Sequence, residues 1–256
     1  MLRHAASATA MRPVLAEMGG KNPAFVTASA DLEVAASGVA RSAFGLSGQK
    51  CSAASKAYVS RDILDPFLET LLATTNKLVV GDPRQQDVFM GPVISETSLD
   101  RFTSASREAA SIGSVVAGGE QLSGGIFDRG PYVAPTIVSD LPADHRINRD
   151  ELFVPFISVL PFDDLDEAFA DANRSEFGLT AGIYSQDQAE LDLFLNTIGA
   201  GVLYANRASG ATTGAWPGFQ TFCGWKGSGT TGKGGLGSWY VPQFMREQSH
   251  TIFGVV

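Results

Sequence analysis

The chain is short of cysteine, histidine and basic side chains, and each shortage narrows what it can do. Cys51 and Cys223 are the two cysteines in 256 residues. Two thiols give no disulfide framework and fit a reducing, cytoplasmic setting. The three histidines, His4, His145 and His250, stand in no recognisable catalytic context. Lys and Arg number 19 against 27 Asp and Glu, a formal net charge of −8. Neither nucleic acid nor an anionic membrane is attracted to such a mean field, so neither is expected as a partner. No apolar run approaches the roughly 20 residues of a membrane span. No internal repeat shows at a period of about 20–50 residues, and no metal site is read. No strand–glycine-loop–helix dinucleotide fingerprint stands ahead of residue 17, and Gly232-x-Gly234-Gly235 follows no strand.

What is present is a globular composition, 44% hydrophobic and 18% charged, on a chain long enough to bury a substantial core. Residues 24–27 read as a short buried strand. Asp31 caps a helix to about residue 46, with Val34, Ala35, Val39, Ala43 and Leu46 on one period. A strand at 57–59 precedes an amphipathic helix from Asp62 to about Leu78, and Gly81-Asp82-Pro83 is a turn. Ser95 begins a helix ending near Gly113. Strands follow at 115–117, 133–138 and 157–160, then a helix capped by Asp163 to about Asn173. Strand, helix and strand come again at 180–184, 188–197 and 201–204. This alternation predicts an α/β layered domain with a largely parallel open sheet. Of the 28 glycines, 12 fall between Gly199 and Gly237, which reads as loop architecture, and its aromatics argue against disorder. Residues 1–16 have the basic, Ala- and Ser-containing, acid-free make-up of a transit peptide. They run unbroken into a strand expected to carry Glu17, so they are read as part of the folded chain.

Two segments concentrate the chemistry, Glu17-Met18-Gly19-Gly20-Lys21 and Gly48-Gln49-Lys50-Cys51-Ser52. Small neighbours leave an electrophile room to reach the Cys51 thiol. A carboxylate on a Gly-Gly turn can swing, because glycine takes conformations other residues avoid. A nucleophile with a separate general base is what covalent catalysis through a thioester requires. Taken singly, each has a plainer reading. A lone cysteine is more often a small buried residue, and Glu-x-Gly-Gly-Lys is also a polar turn with a C-cap glycine.

Both segments resemble the aldehyde dehydrogenase superfamily, in which Glu-Leu-Gly-Gly-Lys carries the base and Gly-Gln-x-Cys the nucleophile. The resemblance runs from about Met11 to the C-terminus through Gly91-Pro92-Val93-Ile94 and Gly130-Pro131-Tyr132-Val133-Ala134-Pro135-Thr136. It continues in Glu151-Leu152-Phe153-Val154-Pro155 and Phe222-Cys223-Gly224-Trp225-Lys226-Gly227-Ser228-Gly229. It implies that Cys51 is the nucleophile and Glu17 the base. Glu151 would hold the nicotinamide ribose of NAD or NADP, Phe153 would pack on the nicotinamide, and Phe222 would wall the aldehyde pocket. Within the superfamily the chain is similar to the glutamate-γ-semialdehyde (pyrroline-5-carboxylate) dehydrogenases of proline catabolism. There Ser52, Gly210 and Ala211 match positions that bind the substrate α-carboxylate, a role suited to backbone N–H groups in a glycine-rich concavity.

Departures accompany the match. Val154 replaces a family glycine, which predicts a displaced loop, since a β-branched residue does not readily take φ > 0. Cys223 also stands at a glycine position, read as a small substituent in a tight loop. Residues between Gly210 and Phe222, including Trp216-Pro217-Gly218, exceed the pattern. The family's dinucleotide-binding domain precedes the Glu17 segment, so residues 1–17 are expected to be its remnant. Residues 18–226 are then the catalytic domain, with an anchor loop at 207–226, and 227–256 a tail. By itself such a chain is expected to bind NAD poorly. The resemblance implies a small aldehyde substrate and a homo-oligomer, and leaves room for a separate dinucleotide-binding half as partner. Two other readings stay open, a cofactor-free cysteine esterase and a non-catalytic remnant or oligomerisation module. Cys51 is expected to be the more reactive thiol, its pKa lowered by a nearby helix terminus.

Overall fold

A computed structural model describes residues 14–208, 215, 216 and 218–254, together with Arg3, Ala5 and Ser7. Gly210 and Ala211, two of the residues read as substrate contacts, lie outside the described residues.

The strands alternate faces as their period of two requires. On β1 (Asn22–Val26), Ala24 and Val26 point into one buried cluster and Phe25 into another. The first cluster is completed by α1 (Leu32–Phe44) and α2 (Leu64–Thr75), through Val39, Phe44, Phe67 and Leu71. The second is completed by α5 (Leu165–Asn173) and α6 (Gln188–Thr197), through Phe169 and Phe194. Helices therefore cover both faces of the sheet, and its strands are apolar on both sides. Phe25 stacks on Tyr58 at 5.0 Å and meets Phe169 edge-on at 4.8 Å, at the centre of the second layer. A third cluster packs α3 (Glu96–Ile112) beside β4 (Thr136–Ser139) and β5 (Phe156–Phe162).

The seven-stranded sheet has the order β3-β4-β5-β2-β1-β7-β8, where β2 is Ala54–Ser60, β3 Ser114–Ala117, β7 Thr180–Tyr184 and β8 Val202–Ala205. Every pairing is parallel except that of edge strand β3 with β4. A two-residue ribbon, β6 (Phe177–Gly178) against β9 (Trp225–Lys226), and a short helix, α4 (Arg146–Arg149), lack the length to show as a period in the sequence. No helix among the described residues is long and apolar enough to cross a membrane.

Several boundaries differ from expectation for local reasons. The helix expected over 62–78 opens as a 3-10 turn at Arg61–Ile63, and α2 stops at Thr75. Asp163 is not the cap of α5. It pairs with Arg61 at 2.6 Å, and Asp164 caps instead, accepting from the Glu167 N–H at 3.0 Å. The strand expected over 133–138 narrows to β4 because Pro135 brings no N–H to a ladder. Glu17 is not on a strand either. It makes one isolated bridge to Gly229, and neighbouring bonds tie residues 14–18 to 228–230.

The parallel order decides where the motifs meet. β5, β2 and β1 are adjacent and run the same way. The segments feeding their first residues, 151–155, 48–53 and 17–21, therefore arrive together at the same end of these strands.

Candidate active site

Cys51 sits on a strained loop. After α1 the chain passes through Leu46 (φ 53), Ser47 (φ 58) and Gly48 (φ 64), three successive left-handed residues of which only one is glycine. Such backbone persists only where its surroundings over-determine it. Ser47 Oγ donates to the Gly91 carbonyl at 2.8 Å, and Gln49 Oε1 accepts the Ile94 N–H at 2.8 Å. This gives the Gly91-Pro92-Val93-Ile94 motif a physical role as the tether of the Cys51 loop. A Cβ on Gly48 would collide with the Val154 carbonyl, so the loop also lies directly on the 151–155 segment.

Below the loop, Asn22 is buried and donates through Nδ2 to the carbonyls of Cys51 (2.7 Å) and Ala53 (2.8 Å). Its Oδ1 accepts the Thr180 N–H at 3.0 Å, locking the starts of β1, β2 and β7 together. Gly19 and Gly20 serve close approach and not mobility, since neither has a positive φ. A side chain on Gly20 would strike the Cys51 carbonyl and Asn22, and one on Gly19 would strike the Glu151 carboxylate.

The Cys51 thiol is half-buried, and the backbone N–H groups of Cys51 and Ser52 both point at its sulfur. Burial, then the Glu151 charge, then the Glu17 charge hold its pKa above the ordinary thiol value, and those two N–H groups oppose them only in part. The expectation of a lowered pKa is thus corrected. Two carboxylates face this sulfur, and like charge disfavours a thiolate.

Glu17 is exposed and borders a cavity of about 420 Å³ with Leu15, Leu236, Tyr240 and Phe244. Its Oε1 accepts the Gly235 N–H at 3.3 Å. Gly235 also exchanges both backbone hydrogen bonds with Phe222 at 2.9 Å, which brings Phe222 beside Glu17. Cys223 is buried, with Sγ 3.9 Å from the Gly201 carbonyl, and burial and then Glu17 raise its pKa. Its smallness in a tight loop agrees with the sequence reading.

Glu151 is half-buried, and Oε1 accepts the Gly20 N–H at 2.9 Å. Burial raises its pKa, against the Gly20 N–H, Lys21 and Arg101. Arg101 further anchors this segment by donating to the Leu152 carbonyl at 2.9 Å. The left-handed residue here is Phe153, at φ 57, and Val154 is not among the positive-φ residues. Val154 instead buries its side chain with Phe102, Val138 and Phe156, so the valine is accommodated by packing. Ser52 is 2% exposed, and its carbonyl accepts from the Thr180 hydroxyl at 3.3 Å.

The structure thus brings Cys51, Ser52, Glu17, Glu151, Phe153 and Phe222 to one end of the parallel strands. Sequence reasoning gave no role to Asn22 or Arg101. Asn22 stands directly after the first motif, next to Lys21, whereas nothing in the sequence around Arg101 singles it out. Among the described histidines, His145 lies 3.0 Å from Glu108 and caps α4, and His250 is in the exposed tail, so neither forms a cysteine–histidine pair.

Comparisons with known proteins identify the family. A family profile described as "Aldehyde dehydrogenase family" matches residues 2–249. The 1-pyrroline-5-carboxylate dehydrogenase of Bacillus subtilis (strain 168) is 38% identical over 225 residues, covering 88% of this chain and 42% of that protein. A Thermus 1-pyrroline-5-carboxylate dehydrogenase with bound NAD superposes with a TM-score of 0.85 at 35% identity, over 93% of this chain and 45% of that one. A 3,6-anhydro-L-galactose dehydrogenase in complex with NAP gives the same TM-score at 32% identity, over 95% and 49%. The chain spans about half or less of the length of the relatives it matches.

Proposed function

Because the chain belongs to the aldehyde dehydrogenase family, we propose that it is the catalytic half of an NAD(P)-dependent dehydrogenase converting an aldehyde to a carboxylic acid, with glutamate-γ-semialdehyde as the first substrate to test. The observation that supports this best is the meeting of the Cys51 sulfur, two backbone N–H groups and the carboxylates of Glu17 and Glu151 at the start of three parallel strands.

Cys51 Sγ attacks the aldehyde carbon, forming a thiohemiacetal whose oxyanion is stabilised by the Cys51 backbone N–H. The thiol starts protonated, so its proton must leave in this step. The proton passes to solvent, to which the half-buried sulfur keeps access. A bound nicotinamide cofactor would accept the hydride, which no side chain can do. Glu151 would hold its ribose, because a half-buried carboxylate with Oε2 beyond its Gly20 bond suits a sugar hydroxyl, and Phe153 would pack on its ring. The Cys51 thioester is then cleaved by a water that Glu17 deprotonates. Ser52, with Gly210 and Ala211, would hold the substrate carboxylate, and Phe222 its aliphatic stem.

Protection of Cys51 tests the reading without requiring turnover. Glutamate-γ-semialdehyde should slow alkylation of Cys51, measured by peptide mass spectrometry, and glutamate should not. Equal labelling with and without aldehyde, at concentrations that saturate related enzymes, would remove Cys51 as the nucleophile.

A further inference from the structure

Lys56, on β2, has no part in the reaction described above. It is 4% exposed, and a buried ammonium is rare unless paired. Among the described residues its Nζ has one hydrogen-bond partner, the Tyr58 oxygen at 3.0 Å. Tyr58 donates its only hydroxyl proton to Asp171 Oδ2 at 2.6 Å, and Asp171 pairs with Arg174. The Tyr58 oxygen therefore accepts from Lys56 and has nothing left to donate to it. A neutral Lys56 amine keeps its lone pair outside this chain of hydrogen bonds.

Lys56, Asp171 and Arg174 all border a cavity of about 770 Å³, so the amine stands at its wall, with Arg149, Asp150 and Glu151 across from it. That volume takes a small molecule with ease. Five carboxylates line it against two guanidiniums and Lys56, which disfavours an anion, and so many charges disfavour an apolar occupant. Burial, ahead of the opposing Asp171 charge and the like charges of Arg174 and Lys226, brings the Lys56 pKa down to about 8. Lys21 is the contrasting case. It is 3% exposed with a pKa of about 7, yet the cavity that it borders measures about 10 Å³, room for about one water.

We propose that Lys56 is a modification site, at which the amine lone pair captures small, uncharged polar aldehydes from the cavity as a carbinolamine and then an imine. A buried lysine amine is suited to this chemistry, since burial favours the neutral, nucleophilic form. The Nζ lone pair forms the C–N bond to the carbonyl carbon, whose π pair moves to oxygen. One proton leaves Nζ and one is taken up on that oxygen. Loss of the hydroxyl with the second amine proton then gives C=N and one water, with no oxidant or reductant consumed. The inference does not rest on the chemistry of Cys51.

The test is reductive trapping with glycolaldehyde and cyanoborohydride on the chain as it stands, read residue by residue by peptide mass spectrometry. Roughly a tenth of a group with a pKa near 8 is neutral at pH 7, against fewer than about one in a thousand for an ordinary lysine. At pH 7 Lys56 should therefore be labelled at least about tenfold faster than exposed Lys77. Above about pH 11 both amines are neutral, and Lys77, the more accessible, should lead. Lys21 should stay unlabelled throughout, because a low pKa without a cavity gives an aldehyde no approach. The anionic aldehyde glyoxylate should lower the ratio of Lys56 to Lys77 labelling. Lys77 ahead of Lys56 at pH 7, Lys21 labelled as fast as Lys56, or an unchanged ratio with glyoxylate would overturn the proposal. Each reading uses the parent chain, so none depends on a variant that must fold. An aldehyde on Cys51 forms a thiohemiacetal, which cyanoborohydride does not reduce, so failure here leaves the proposed reaction standing and the reverse also holds.

Discussion

Asn22 grips the Cys51 loop from below, donating to the Cys51 carbonyl at 2.7 Å while its own carbonyl oxygen takes the Thr180 N–H. Three segments distant in sequence are thereby held by one buried amide. Replacing it with alanine strands two carbonyls and one N–H, and an unsatisfied buried group costs about 1–3 kcal/mol. Asn22→Ala should lower the urea midpoint with an unchanged m-value, the sign of lost stability without altered compactness. A midpoint equal to the parent's would show that water replaces the amide at no loss.

The two thiols should differ in access and in their sensitivity to nearby charge. Cys51, half-buried, should be alkylated before buried Cys223. Labelling of both should keep rising with pH beyond the ordinary thiol range, because both pKa values are raised. Glu17 acts on both sulfurs and Glu151 on Cys51 alone. Glu17→Gln should therefore speed neutral-pH labelling at both sites, and Glu151→Gln at Cys51 only. Preferential labelling of Cys223 in the parent would count decisively against the nucleophile assignment.

Glu17→Gln should separate the two halves of the proposed reaction in the cofactor-supplied enzyme. General base catalysis contributes typically about 10²–10⁴-fold, and turnover should fall within that range. An acyl adduct should build up on Cys51, seen as added mass on its peptide. Equal loss of turnover with no adduct would place Glu17 before the thioester and not after it.

Ser52→Ala tests substrate choice. A charge-assisted hydrogen bond is worth roughly 1.5–3 kcal/mol, about ten- to a hundredfold in kcat/KM. That loss should appear with glutamate-γ-semialdehyde and be absent with an uncharged aldehyde of similar length. Because Ser52 is buried against Thr180, equal losses on both would mean that it supports the Cys51 loop and does not read the substrate.

Lys21 makes a prediction about stability. Its folded pKa lies near 7, below its unfolded value of 10.5. Between those values the unfolded chain binds more protons, so this group makes stability rise with pH. Lys21→Met removes the slope. Measured against the parent by thermal melting, the variant should be at its relative best near pH 6 and lose ground towards pH 10. A difference that does not vary with pH would show that Lys21 keeps its proton in the folded protein.

The alternation of strand and helix periods was sufficient for a layered α/β domain, because each element buries a face that its own pattern marks. Val39 and Phe44 on α1, or Ala24 and Phe25 on β1, show their destinations locally. Boundaries were less legible where a neighbour distant in sequence decided them. Asp163 and Asp164 are equal as caps until Arg61 claims the first, and the two-residue ribbon at Phe177–Gly178 exists only because Trp225–Lys226 reaches it.

The same division holds for the site. The sequence by itself set out the candidate side chains, since a thiol among small residues and a carboxylate before Gly-Gly are chemical statements that need no coordinates. Tertiary structure alone decided how they act on one another. Parallel pairing of β1, β2 and β5 carries three separate segments to the same end of the strands, and there burial and two nearby carboxylates raise the Cys51 pKa where a helix terminus had been expected to lower it. Val154 likewise looked disruptive on residue type, yet the left-handed turn falls one residue earlier, at Phe153, and the valine is buried. Charge proximity and burial are properties of three-dimensional distance, and the order of residues along a chain does not contain them.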